Sequence, residues 1–236
     1  MVTNAELGAC DCGRTLHHDG PHRTQDEIDR FQQQEDRRRQ SRERDWTARR
    51  VWARYRHACL PDTPSTAVEA AVLNWAENGF GSNLILRGPV GTGKTWLACA
   101  ATRRMYVEDE ATVAVTTAAE MLTRLHPGGD ATPGTFIKPD YLLLDDIGPE
   151  KPTEWALEQL QAVIDGRSKQ ERATIVTTNM SSAEFEATYG ARIADRLRED
   201  AVIVNVGGKS RRKVASAPSA LHSVADHRTN DQAVSQ

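Results

Sequence analysis

The run Gly88-Pro89-Val90-Gly91-Thr92-Gly93-Lys94-Thr95 constrains this chain more than any other stretch, because it follows an apolar segment at 83–87 and precedes a helical pattern from 95 to about 107. A Gly-x4-Gly-Lys-Thr turn between a strand and a helix lets the backbone curl until successive N–H groups and the helix N-terminus converge on one spot, which suits a phosphate. Lys94 would supply a point charge for the β- and γ-phosphates of ATP, and the Thr95 hydroxyl an oxygen ligand for Mg²⁺. A chance glycine turn is the alternative, and it leaves the strand and helix on either side unexplained. The whole run, Gly88 through Thr95, is therefore the candidate nucleotide cradle.

The rest of the middle of the chain is consistent with that loop. Strand-like apolar runs alternate with amphipathic helices over about 57–206, the pattern of a parallel sheet sandwiched by helices in an α/β P-loop fold. Thr66-Ala67-Val68-Glu69 reads as a capping box opening a helix that stops at Asn78-Gly79. Strands are expected at 83–87, 112–115, 141–144, 174–177 and 201–206, and helices at 95–107, around Met121 to Leu125, at 153–164, 182–189 and 191–199. The continuous run Tyr141-Leu142-Leu143-Leu144 reads as a central strand buried on both faces, and it ends in Asp145-Asp146. A carboxylate closing such a strand is costly unless it orders a magnesium shell, so Asp145 is the candidate Walker B aspartate and Asp146 the group that polarises an attacking water. The alternative for the pair is a solvated strand-end turn. Thr177-Thr178-Asn179 closes the following strand, which would set Asn179 beside the γ-phosphate to hold that water, although Asn also commonly opens a turn.

In Ala191-Arg192-Ile193-Ala194-Asp195-Arg196, the i,i+4 spacing puts the Arg192 and Arg196 guanidinium groups on one helix face. There they could reach a neighbouring chain's γ-phosphate, or simply pair with Asp195 and Glu199. Cys10, Cys12, His18 and His22 offer four ligands for Zn²⁺, with His17 competing with His18 and a disordered polar N-terminus as the alternative. The remaining cysteines, Cys59 and Cys99, sit in apolar helical contexts, so no disulfide framework is expected.

Four zones are expected: a Cys/His segment at 1–24, a charged helical arm at 25–56, the ATPase domain at 57–206, and a basic then disordered tail at 207–236. The net charge of −3 conceals a basic strip, with arginines at 30, 37, 38, 39, 42, 44, 49, 50, 54 and 56 against Glu35, Asp36, Glu43 and Asp45. Such a strip binds nucleic acid or an acidic partner, or is a solvated helix laced with ion pairs. Trp46, Trp52 and Tyr55, beside these arginines, could stack on bases, but they also fit one helix stripe packed on the ATPase domain, which is the reading preferred, and Trp75 and Trp96 read as core. No stretch is apolar enough to span a membrane and the N-terminus is not built like a signal peptide, so a soluble, cytoplasmic protein is expected.

The order Gly-Pro-Val-Gly-Thr-Gly-Lys-Thr, Leu-Leu-Leu-Asp-Asp-Ile-Gly, Thr-Ile-Val-Thr-Thr-Asn and Tyr-Gly-Ala-Arg-Ile-Ala-Asp-Arg-Leu resembles the AAA+ ATPases of the DnaC-type helicase loaders and their IstB-type transposition relatives. Ala53-Arg54-Tyr55-Arg56-His57-Ala58 is similar to the segment that precedes the ATPase domain in that group, and the resemblance covers roughly 51–213. It implies that Arg196 is an arginine finger with Arg192 second, that Asn179 is the polar sensor, and that Arg211 approaches the nucleotide. It further implies an ATPase that forms a ring or spiral of identical chains and loads a replicative hexameric helicase onto single-stranded DNA, the N-terminal zone gripping the helicase. An IstB-type ATPase that binds DNA and activates a transposase is the alternative, and an ATP-gated adaptor that never hydrolyses is a third. Two departures stand out. The loader helix that lines the DNA path is replaced by a short stretch interrupted by Pro127, Pro133 and Pro139, leaving Phe136 and Lys138 as contacts, and Asp146 stands where many AAA+ proteins have Glu, which implies slow hydrolysis. Nor does the sequence after Val206 suggest a helical lid.

Overall fold

Short apolar strands separated by capped helices force parallel pairing, since each crossover must return over a sheet face. The computed structural model describes residues 24–79, 81–208 and 210–211. In chain order the elements are α1 (Gln25–Asp45), α2 (Ala67–Asn78), β1 (Leu84–Arg87), α3 (Lys94–Val107), β2 (Val113–Thr117), α4 (Ala118–Leu125), α5 (Pro133–Ile137), β3 (Tyr141–Ile147), α6 (Glu154–Ser168), β4 (Ala173–Thr178), α7 (Ser182–Tyr189), α8 (Ala191–Arg198) and β5 (Val202–Asn205). The strands form one five-stranded parallel sheet in the order β2-β3-β4-β1-β5.

Each face of the sheet carries its own core. Trp75, Leu97, Ala101, Met105 and Tyr106 pack with Leu84, Leu86 and Leu143 on the α2–α3 side. Met121, Phe136, Leu160, Val163, Phe185 and Ile193 pack with Leu142, Leu144 and Val176 on the other. β3 and β4 are buried along nearly their whole length, as the uninterrupted apolar run at 141–144 required. Several helix starts follow side-chain caps: Thr66, Thr153 and Ser181 each accept a backbone N–H from the first turn, and Thr117 with Glu120 closes a capping box.

The arm departs from the single helix expected over 25–56. Helix α1 ends at Asp45 and a π-helical turn over Trp46–Arg50 follows, then a 3₁₀ turn at Ala53–Tyr55. The wide turn brings the fully buried Trp46 ring into the α2–α3 core, so the break is an anchoring device rather than fraying. Glu43 pairs with Arg103 at 2.7 Å, the Tyr106 hydroxyl donates to Asp45 at 2.5 Å, and the Arg42 guanidinium lies 4.1 Å above the Tyr106 ring. Val51, Trp52 and Tyr55 also pack against this core, so the expected packing holds although Trp46, Trp52 and Tyr55 do not share one continuous helix.

Trp96 is not core: it is 39% exposed in the first turn of α3. Cys59 is exposed on an irregular segment, while Cys99 is buried within α3. Phe136 is buried on the α4–α8 side beneath Arg124, so it offers no face for stacking on a base, whereas Lys138 is exposed.

The 133–140 segment is fixed by a residue that reads as an ordinary helix-surface arginine. Arg167 of α6 is buried and donates to the carbonyls of Phe136 at 2.8 Å, Pro139 at 2.8 Å, Asp140 at 3.1 Å and Ala173, and to the Thr174 hydroxyl at 3.1 Å. Burial pulls its guanidinium down to about 9, which still leaves it charged at neutral pH with its N–H groups acting as donors.

Candidate functional site

The C-terminal ends of β1, β3 and β4 open into one cleft of about 710 Å³. Ligands of open parallel sheets bind at this rim, because the strand ends and the helix N-termini that follow them converge there. From β1 the chain enters the phosphate loop, where Gly91 (φ 85°) and Gly93 (φ 103°) adopt left-handed backbone. Gly93 serves as N-cap of α3 and has no side chain to satisfy the first-turn N–H groups, which leaves them directed at the cleft. Gly88 is confined from outside, since a Cβ there would lie 2.2 Å from the Val206 carbonyl oxygen.

Lys94 begins α3, and its ammonium donates to the Gly88 and Pro89 carbonyls at 2.8 and 2.9 Å. The Thr92 hydroxyl also donates to Pro89, so the loop's own carbonyls hold both side chains in place. Gly91, Gly93, Lys94 and Thr95 line the cleft together with Val90, Asp145, Asp146, Asn179 and Arg211. Arg211 arrives on the segment after β5; its N–H donates to the Gly91 carbonyl at 2.8 Å. Of the candidates on the expected rim, the phosphate loop, both aspartates, Asn179 and Arg211 are thus brought together.

The two aspartates face different ways. Asp145 is buried and accepts a 2.6 Å hydrogen bond from the Thr177 hydroxyl. Burial pushes its carboxyl above the usual carboxylate range, against hydrogen bonds from Thr177 and Thr95 and the Lys94 charge. Asp146 is exposed and left-handed at φ 55°, a backbone conformation uncommon for a residue with a Cβ. Thr95 and Asp145 supply only hard oxygen donors, and a buried carboxylate hydrogen-bonded to a threonine hydroxyl beside the phosphate loop fits a Mg²⁺ site.

Arg192 and Arg196 lie elsewhere. Arg192 pairs with Asp165 of α6 at 2.5 Å, and Arg196 pairs with Glu199 at 2.9 Å and approaches Asp165 at 3.9 Å. Neither lines the nucleotide cleft; Arg196 borders a separate depression with Asn83, Ser168 and Thr174, where β1 and β4 begin. Sequence reasoning missed Arg54 and Trp96 as cleft residues and weighed Tyr55 only between base stacking and packing, yet all three line the cleft. The signal was present in the similarity of 53–58 to a family segment and in the place of Trp96 two residues after Lys94. Cys10, Cys12, His18 and His22 lie outside the described residues, and among the described residues no three His, Cys, Asp or Glu side chains gather as a metal site. Among the same residues, no helix is long and apolar enough to cross a membrane.

Comparison with known proteins agrees with this geometry. The chain is 30% identical over 122 residues to the uncharacterized protein YdaV of Escherichia coli strain K12, covering 49% of each. It is 33% identical over 141 residues to an insertion-sequence ATP-binding protein of Pseudomonas fluorescens, covering 55% of this chain and 61% of that one. The matches thus span about half to three-fifths of the length of these curated relatives. The crystal structure of the DnaC helicase loader superposes with a TM-score of 0.59 at 24% identity, over 66% of this chain and 100% of that one, so the AAA+ fold is shared. A family model described as IstB-like ATP-binding protein matches residues 24–219, and the chain belongs to that family.

Proposed function

We propose that the chain is an ATP-dependent DNA-binding ATPase of the insertion-sequence type, which assembles on DNA with copies of itself and activates a transposase. The observation that carries the nucleotide half of this reading is the convergence of Lys94, Thr95, Asp145, Asp146, Asn179 and Arg211 on one cleft. Family membership and the insertion-sequence relatives support the transposition half.

In this reading the α3 N-terminus and the Lys94 ammonium take the phosphates, Lys94 exchanging the Gly88 and Pro89 carbonyls for phosphate oxygens. Thr95 and Asp145 would hold Mg²⁺, which when bound neutralises charge developing on the phosphates. Asp146 and Asn179, both exposed to the cleft, position the attacking water, and ATP is cleaved to ADP and phosphate. Arg54, Tyr55, Val90 and Trp96 supply the non-phosphate wall of the cleft. Arg196, with Arg192 beside it, completes a neighbour's site in a ring or spiral. In this reading the protein works on DNA in the cytoplasm, and 1–24 is a candidate zinc module.

The second reading, loading of a replicative hexameric helicase onto single-stranded DNA, is favoured by one observation: a long charged helix rigidly mounted on α3 is suited to gripping a partner protein. The test incubates the full chain with ATP and Mg²⁺ on duplex and single-stranded DNA, then captures the cognate transposase or the replicative helicase. The transposition reading expects ATP-dependent duplex binding and capture of the transposase. A stable helicase complex with preference for single strands overturns it, and DNA-bound assemblies that never release phosphate would make the protein an ATP-gated adaptor. Lys94→Ala should abolish ATP binding in either reading, and unchanged affinity in that variant would remove the P-loop assignment.

A further inference from the structure

We propose that Thr177 is a positioning residue whose single hydroxyl holds Asp145 buried and Asp146 exposed and left-handed at the bulge near the end of β3. The inference rests on reading the cleft as a nucleotide site. The β3–β4 ladder pairs Leu144 with Val176 and next pairs Ile147 with Thr178, so Asp145 and Asp146 together face Thr177 alone. This is a β-bulge in which the extra residue of β3 loses its regular ladder partner. Thr177 supplies the substitute: its Oγ1 accepts the Asp146 N–H at 2.9 Å and donates to Asp145 Oδ1 at 2.6 Å. A hydroxyl has one proton to give and two lone pairs to receive, so the two bonds are compatible and fix the direction of each.

The consequences for the two aspartates differ. Asp145 is turned inward toward Thr95, while Asp146 is held left-handed and exposed in the cleft. Without the bulge, successive side chains of β3 would alternate about a regular ladder and Asp146 would keep ordinary extended backbone. The neighbouring threonine has another partner, as Thr178 Oγ1 donates to the Ile147 carbonyl at 2.7 Å and clamps the strand just beyond the bulge. Thr177 is itself buried, so its alternative role is that of a β-branched filler between β3 and β4. Valine preserves that filling shape and removes only the hydroxyl.

The experiment compares Thr177→Val and Thr177→Ser in the full chain, with Thr177→Ala replacing valine should valine disturb folding. Two quantities are read: amide exchange at Asp146 in nucleotide-free protein, and affinity for a fluorescent ATP analogue with and without Mg²⁺. The Val protein should exchange the Asp146 amide faster, bind the analogue normally without Mg²⁺, and lose about 10- to 100-fold of the affinity that Mg²⁺ adds, as is typical when a hydrogen-bond partner of a metal-orienting carboxylate is removed. The Ser protein should restore both. An unchanged Asp146 exchange rate, an unchanged Mg²⁺ increment, or failure of serine to rescue overturns the proposal. Lys94→Ala separates the two layers, because it should remove analogue binding while leaving Asp146 exchange as in the wild type. A wild-type protein that binds no analogue at all would remove both the nucleotide reading and the positioning role.

Discussion

The two ends of the parallel sheet use their cationic side chains in different ways. At the C-terminal rim, Lys94, resting on the Gly88 and Pro89 carbonyls, and Arg211 border an open cleft next to an exposed Asp146 and a buried Asp145. Where the strands begin, Arg167 is committed to backbone carbonyls, and Arg196 lies on the surface paired with acidic side chains. The rim is assembled by strand ends that are neighbours in the sheet of one chain, so its chemistry is nearly complete within that chain. On α8, Arg192 and Arg196 pair with the acidic Asp165 and Glu199 of their own chain, and they acquire a catalytic purpose only if a second copy presents a nucleotide to them.

That contrast can be broken most severely by testing whether Arg196 works in trans. Removing an arginine finger costs on the order of 10³-fold in rate, so Arg196→Ala should be nearly inactive while its P-loop still binds ATP. Lys94→Ala should be equally inactive with its finger intact. A mixture of the two should recover part of the wild-type rate, because an interface that takes nucleotide from the first and the guanidinium from the second is whole. If the mixture co-assembles and stays inactive, the α8 face is structural and Arg192 or Arg211 becomes the next candidate.

The strand-beginning end should respond in stability rather than in nucleotide affinity. Arg167→Met removes the donor shared by Phe136, Pro139, Asp140 and Ala173, leaving buried carbonyls unpaired. We expect a loss of about 3 kcal/mol in chemical denaturation, with ATP affinity unchanged wherever the protein remains folded. A large fall in affinity at unchanged stability would show that this end communicates with the cleft, and the contrast would fail.

The same contrast marks what the sequence could express. The phosphate loop was legible because its chemistry is local: glycines, Lys94 and Thr95 act within eight consecutive positions. The five strands and their buried centre were legible from apolar runs, and the observed ends differ from the expected ones by at most three residues, the largest difference being at the end of β3. The split between Asp145 and Asp146 was not, since it depends on Thr177, 31 residues from Asp146 along the chain. Arg167 was equally hidden, because an arginine in a helix ordinarily points to water and only the fold surrounds this one with carbonyls. Trp96 was misread for the reverse reason. An apolar side chain in the first turn of a helix usually packs inward, but here that turn borders the cleft. The break after Asp45 escaped notice because the charged pattern runs on through it, and burial of Trp46 in the core is what decides it.

The smallest expected effect tests whether the rim is arranged for function at a cost in stability. The Asp145 carboxyl is raised chiefly by burial, with the Asp146 charge adding to the rise and the Thr177 and Thr95 hydrogen bonds and Lys94 opposing it. A carboxylic acid whose folded value lies above its unfolded value has its charged form disfavoured by folding. The penalty is therefore fully present at pH above the folded value, and it fades as pH falls through that value toward the ordinary carboxylate range. Asp145→Asn keeps the shape and an oxygen that still accepts from Thr177, and it removes the charge. In the absence of nucleotide and Mg²⁺, its thermal midpoint at neutral pH should therefore lie above that of the wild type, with the gap closing on acidification. A lower midpoint at neutral pH would mean that the hydrogen bonds and Lys94 outweigh burial, in which case Asp145 stabilises the fold and the rim is no more strained than the end held by Arg167.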